Sequence, residues 1–127
     1  MPAIRSWVHD CLQRGSRLAI PEIADYEVRR ELLHARLATS LNALNALQAA
    51  LDYLPISTPI MREAASLWSD VRRQGIPTAD RHALDGDVIL AASARLLIGE
   101  GHDVVVATTN VGHLARLVPA QLWHDII

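Results

Sequence analysis

Apolar residues recur in two rhythms along this chain, and the rhythms alternate. Ile4, Val8 and Leu12, with Trp7, fall at helical spacing and Gly15 follows as a stop, so the pattern predicts a helix over 2–13. Arg17 to Pro21 is short and mostly apolar, as a strand. A polar-studded helix is predicted from about Ala24 to Arg36. A second follows from Ser40 to Tyr53, its leucines at 41, 44, 47 and 51 packing on the first. Leu54-Pro55-Ile56-Ser57 reads as an edge strand, because proline has no N–H to donate to a sheet ladder. Thr58-Pro59 opens a helix that turns Ile60, Ala64, Leu67, Trp68 and Val71 inward and stops at Gly75.

Residues 76–84 carry turn formers and read as a loop. Asp85-Gly86-Asp87 then opens an almost wholly apolar helix through Ile98, with Asp85 as its N-cap. Asp103 to Thr108 has the continuous apolar character of a buried parallel strand. Val111 to Leu117 is a short helix, and Gln121 to Ile126 a last strand. Strands alternating with helices predict an α/β fold with a mainly parallel sheet covered on both faces, in one domain spanning 1–127.

Composition narrows this picture. Half of the 127 residues are apolar, yet aromatics make up only 4% and Phe is absent, so the core must be built from Leu, Ile, Val and Ala. The three Trp are expected to seal core edges. All twelve basic residues are Arg, and against fourteen acids they leave a net charge of -2. Such a balance excludes a protein that blankets nucleic acid with bulk charge; any RNA contact must be local. The Arg29-Arg30 and Arg72-Arg73 pairs read as solvated helix faces. The single Cys11 can form neither a disulfide nor a metal knuckle within the chain, and is expected to pack in the core of a cytoplasmic protein. No apolar run reaches the roughly 18–20 residues that a membrane span needs. Six His with no helical pair argue against zinc, and no Walker loop, dinucleotide fingerprint or nucleophile elbow is present.

Sites in open α/β sheets gather beyond the carboxyl ends of the strands. Glu27, expected in the first turn after the strand at 18–20, Asp87, expected in the first turn of the apolar helix, and Asn110, just after the strand ending at Thr108, meet that condition. Oxygen ligands of this kind suit Mg²⁺ or Mn²⁺, which keep several waters and can activate one against a phosphodiester. The competing reading is that acids in first helical turns merely answer the macrodipole. Asp80 reads as a solvated loop acid. Asp87 stands apart because Val88-Ile89-Leu90-Ala91-Ala92 follow it, which places a carboxylate at the edge of a buried element.

Three segments in order resemble the PIN domain family, the fold of VapC-like toxin ribonucleases. Ile20-Pro21-Glu22-Ile23-Ala24-Asp25-Tyr26-Glu27-Val28 resembles the strand-to-helix passage bearing that family's second acid, which maps to Glu27. Asp87-Val88-Ile89-Leu90-Ala91-Ala92 resembles the helix bearing the third, which maps to Asp87. Val106-Ala107-Thr108-Thr109-Asn110 resembles the strand and turn of the fourth polar position, which maps to Asn110. The resemblance implies a three-layer α/β/α sandwich with strand order 3-2-1-4-5. It also implies Mg²⁺- or Mn²⁺-dependent endoribonuclease activity, with Glu27 and Asp87 as metal ligands and Asn110 as a weaker ligand or water-positioner. An antitoxin partner and a homodimer are implied with it. The family's first strand and its acid find no counterpart before Ile4, so the chain is expected to begin downstream of that central strand and to cut RNA poorly as it stands. The alternatives are a non-catalytic PIN-like module that binds RNA or protein, and an unrelated α/β regulatory domain whose acids only cap helices.

Overall fold

The computed structural model describes residues 2–75, 81–109 and 111–126 of the chain, with the side chains of residues 2, 3 and 81–83 left aside. Its elements run α1 (Pro2–Gln13), β1 (Ala19–Pro21), α2 (Glu22–His34), α3 (Ala38–Ala50), β2 (Asp52–Leu54), α4 (Thr58–Gln74), α5 (Arg81–Gly99), β3 (Val106–Thr108), α6 (Val111–Leu114) and β4 (Ala120–Leu122). A 3₁₀ turn over Trp123–Asp125 follows. The chain divides into two compact units, residues 1–55 and 56–126.

In the first unit β1 and β2 pair in parallel, Ala19 with Asp52 and Pro21 with Leu54. A parallel pair cannot be joined by a tight turn, and the α2–α3 hairpin makes the crossover. Arg36 ends α2 in the left-handed region at φ 56°, a position more often held by glycine. There the amide N–H of Leu37 donates to the Leu32 carbonyl at 3.0 Å, satisfying one of the helix's last acceptors. The buried apolar residues here are few, Cys11 and Ile23. α3 packs on α2 as its leucines predict, but it buries none of its own side chains. The edge strand expected at 54–57 lies instead at Asp52–Leu54 and stops before Pro55, whose missing N–H ends the pairing rather than joining it.

The second unit holds the main core. Ser57 caps α4, its Oγ accepting from the Ile60 amide at 3.3 Å, and Gly75 ends it at φ 64°. α4 presents Ile60, Ala64 and Leu67 to Leu84, Val88, Ala91, Ala92 and Ala94 of α5, and Val118 joins them. Ala91 and Ala92 are fully buried, and their small size lets the two helices approach closely. Ser93 is buried among them because its hydroxyl donates to the Ile89 carbonyl at 2.9 Å, one turn back. β3 and β4 pair in parallel, Val106 with Ala120 and Thr108 with Leu122. They are shorter than the strands expected at 103–108 and 121–126. The described strands therefore form two two-stranded parallel sheets, β1–β2 and β3–β4, in a mixed α/β chain.

Two further expectations change. α5 already runs from Arg81, so Asp85 is an exposed residue inside the helix and not its N-cap. Trp68 does not seal the core: it is 41% exposed and lies under the Arg72 guanidinium, 5.3 Å from its ring centre. No helix among the described residues is long and apolar enough to cross a membrane.

Candidate functional site

α2 places two acids with opposite fates two residues apart. Asp25 lies in the first turn and is buried, 8% exposed. Arg29, one turn on, meets it side-on: Nη2 donates to Oδ1 at 3.0 Å and Nε to Oδ2 at 3.4 Å. The same guanidinium reaches α3, donating through Nη1 to Asn45 Oδ1 at 2.8 Å and through Nη2 to Gln48 Oε1 at 3.0 Å. The single hydroxyl proton of Tyr53 in β2 is shared between Asp25 Oδ2 at 3.3 Å and Glu22 Oε2 at 3.5 Å. Burial, then the charges of Asp25 and Glu22 and its bonds to them, push the Tyr53 phenol above its ordinary value. This network ties α2, α3 and β2 together. Its task is structural, since every strong donor in it already meets an acceptor.

Glu27 lies in the second turn of α2, not the first, so the macrodipole does not hold its charge as expected. Its carboxylate meets Arg30 at 3.9 Å with the side chain 41% exposed. Asp87 likewise lies beyond the first turn of α5, which holds no acid. Burial raises its carboxyl above the ordinary value, and the positive charge of His113 opposes that rise in part. Desolvation, and not a helix N-terminus, is therefore uppermost at this carboxyl.

Asp87 lines a cleft of about 150 Å³ in the second unit. Apolar Leu67, Val71, Leu84 and Leu117 line it together with polar Asp70, Gln74, Arg95, His113 and Arg116. The polar members come from α4, α5 and the segment at and after α6, so three separate stretches of chain converge there. Arg95 is engaged on both sides: Nε donates to the Leu117 carbonyl at 3.0 Å and Nη1 to Glu63 Oε1 at 3.1 Å.

The three positions that the resemblance marks are thus differently placed. Glu27 belongs to the first unit and Asp87 to the second. Asn110 and the loop acid Asp80 lie outside the described residues. Among the described residues no group of three His, Cys, Asp or Glu comes together to hold a metal ion. Asp87 suits a single carboxylate ligand, because a nearby cation would favour the charge that burial disfavours. A complete ligand set is not assembled by the described residues. Sequence reasoning missed Asp25, Asp70, His113 and Arg116. Only the Asp25–Arg29 pair left a trace, an acid four residues before a base on one helix.

The chain matches no protein-family profile and no curated protein sequence. A solved structure of VapBC-1 from nontypeable Haemophilus influenzae contains a chain of similar fold. The TM-score is 0.71 at 18% sequence identity, over 94% of this chain and 86% of that one. At that identity the likeness is one of fold.

Proposed function

We propose that this chain is a PIN-type, VapC-like component of a toxin–antitoxin pair that cleaves RNA with Mg²⁺ or Mn²⁺, with Asp87 as an acid of its site. The likeness in fold to a chain of VapBC-1 carries the reading. The pairing of strands supports it. A PIN sandwich of order 3-2-1-4-5 sets its second strand beside its third and its fourth beside its fifth. The β1–β2 and β3–β4 pairs are two such parallel neighbours. The PIN-like motifs at Glu27, Asp87 and Asn110 follow in the family's order along the chain.

A hard divalent ion would supply an activated water and charge neutralisation on the phosphodiester. Of the chain's own residues, Asp87 is the described carboxylate that a cation would hold in its charged form. Glu27 and Asn110 are the further ligand positions that the resemblance implies. An antitoxin partner and pairing of two copies belong to the same proposal.

The test combines metal binding with cleavage. Millimolar Mn²⁺ is expected to raise the melting temperature of the chain. Asp87→Asn is expected to abolish both that shift and cleavage of a single-stranded RNA, by roughly a hundredfold or more. Asp85→Asn, exposed on the same helix, is expected to retain both. Cleavage that survives Asp87→Asn sinks the assignment. RNA bound but uncut, with no response to metal, favours a non-catalytic PIN-like module, because the described residues gather no three-ligand group.

A further inference from the structure

The cations of the cleft are unequally committed. Arg95 gives its Nε to the Leu117 carbonyl at 3.0 Å and its Nη1 to the Glu63 carboxylate at 3.1 Å, so it is paired with an acid and tied to the backbone. Arg116 lines the same cleft, is exposed, and has no side-chain hydrogen bond or ion pair among the described residues. Arg95 also fixes its position, because the carbonyl it holds belongs to the next residue, Leu117. The carboxylates of Asp70 and Asp87 line the same cleft. An anion entering such a space is repelled unless a cation with spare donors meets it, and of the two arginines that line it Arg116 has them. A guanidinium fork matches two oxygens of one phosphate, with a geometric fit that an ammonium lacks.

We propose that Arg116 is the phosphate-binding residue of this cleft, seating an RNA phosphodiester beside Asp87. The inference rests on the ribonuclease reading above and adds the residue that positions the substrate. Binding through one guanidinium is independent of base identity, so Arg116 sets affinity and register rather than sequence preference. It would also give a chain of net charge -2 a local cationic contact for a polyanion in place of a basic face.

The experiment measures binding of a fluorescent single-stranded RNA oligonucleotide to the full chain by anisotropy over a range of salt concentrations. Arg116→Ala is expected to weaken binding on the order of tenfold, the scale of one charge-assisted contact. The slope of log affinity against log salt is expected to fall by about 0.7, the share of one phosphate contact on a single strand. Arg116→Lys should recover the slope and part of the affinity, which a merely structural role would not produce. Arg73→Ala, exposed near the end of α4 and outside the cleft, should leave both unchanged. In cleavage assays Arg116→Ala should raise KM and spare kcat. If the unaltered chain binds RNA and Arg116→Ala matches it in affinity and slope, this inference alone fails. If the unaltered chain neither binds nor cuts RNA, the ribonuclease reading fails and this inference with it. Displacement of the RNA by an acidic peptide, or by millimolar inorganic phosphate, as readily as by unlabelled RNA would also overturn a phosphodiester site.

Discussion

Replacing Asp25 by Asn keeps the volume of a buried side chain and removes its charge. Three bonds converge on this carboxylate: from Arg29 Nη2 at 3.0 Å, from Arg29 Nε at 3.4 Å and from the Tyr53 hydroxyl at 3.3 Å. A hydrogen bond to a charged group contributes roughly 1.5–3 kcal/mol net, and the two longer bonds fall towards or below the low end of that range. The Asp25 side chain is 11% exposed and that of Arg29 28%, so water recovers part of the loss, and Arg29 keeps Asn45 and Gln48. About 2 kcal/mol of destabilisation follows from these terms. For a chain of this length that corresponds to a melting temperature lower by roughly 6–10 °C. The comparison is Glu27→Gln. Its pair with Arg30 is long, at 3.9 Å, and 41% exposed on the acid's side, which places it below about 0.5 kcal/mol. Urea denaturation followed by far-UV circular dichroism and by tryptophan fluorescence gives both values. Equal costs for the two variants, or an Asp25→Asn cost within about 0.5 kcal/mol of zero, would refute the division of α2 into a structural acid and an available one.

Asp87→Asn is expected to stabilise the chain at neutral pH while removing an acid of the proposed site. The folded-state carboxyl titrates above its ordinary value of 3.8, so both states hold the proton well below that pH. As pH rises past 3.8 the unfolded chain ionises first and stability drops, until the folded-state group ionises too. The variant's advantage in melting temperature should therefore open above pH 3.8 and level off, and a constant offset at every pH would contradict the cause given. Ala91→Leu should cost about 1–3 kcal/mol through overpacking of the fully buried α4–α5 contact, whereas Ala49→Leu on exposed α3 should stay within about 0.5 kcal/mol. Both are measured by the same urea titration.

What the sequence disclosed depended on how sharply each element is punctuated. α1 and α4 fall where their patterns place them, since Pro2, Gly15, Pro59 and Gly75 mark their limits. α5 carries no breaker between Arg81 and Asp87 apart from Gly86, which an apolar helix tolerates, so its described start lies earlier than the Asp85 cap suggested. That shift moves Asp87 out of the first turn, where burial and not the macrodipole dominates the acid. The segments bearing Glu27 and Asp87 were legible as helices because they are strongly patterned. The residues that share a cleft with Asp87 were not: Asp70, His113 and Arg116 come from stretches with no shared spacing, and only the packing of α4, α5 and α6 brings them together. Trp68 was misplaced because helical periodicity cannot distinguish the last buried position from the first exposed one when a neighbouring Arg72 can cover the ring.

The two parallel strand pairs differ in how much chain each must close, and this predicts an order of formation. Ala19 meets a partner 33 positions away at Asp52, whereas Val106 meets one only 14 positions away at Ala120. Loop-closure entropy grows with the logarithm of that separation, which sets β1–β2 at a disadvantage of about 0.8 kcal/mol. The longer loop contains the whole α2–α3 hairpin, and local helices form faster than distant strands meet. The hairpin, with Arg29 bridging its two helices, is thus positioned to shorten the search before β1 finds β2. Amides of β3 and β4 should acquire hydrogen-exchange protection ahead of those of β1 and β2 during refolding.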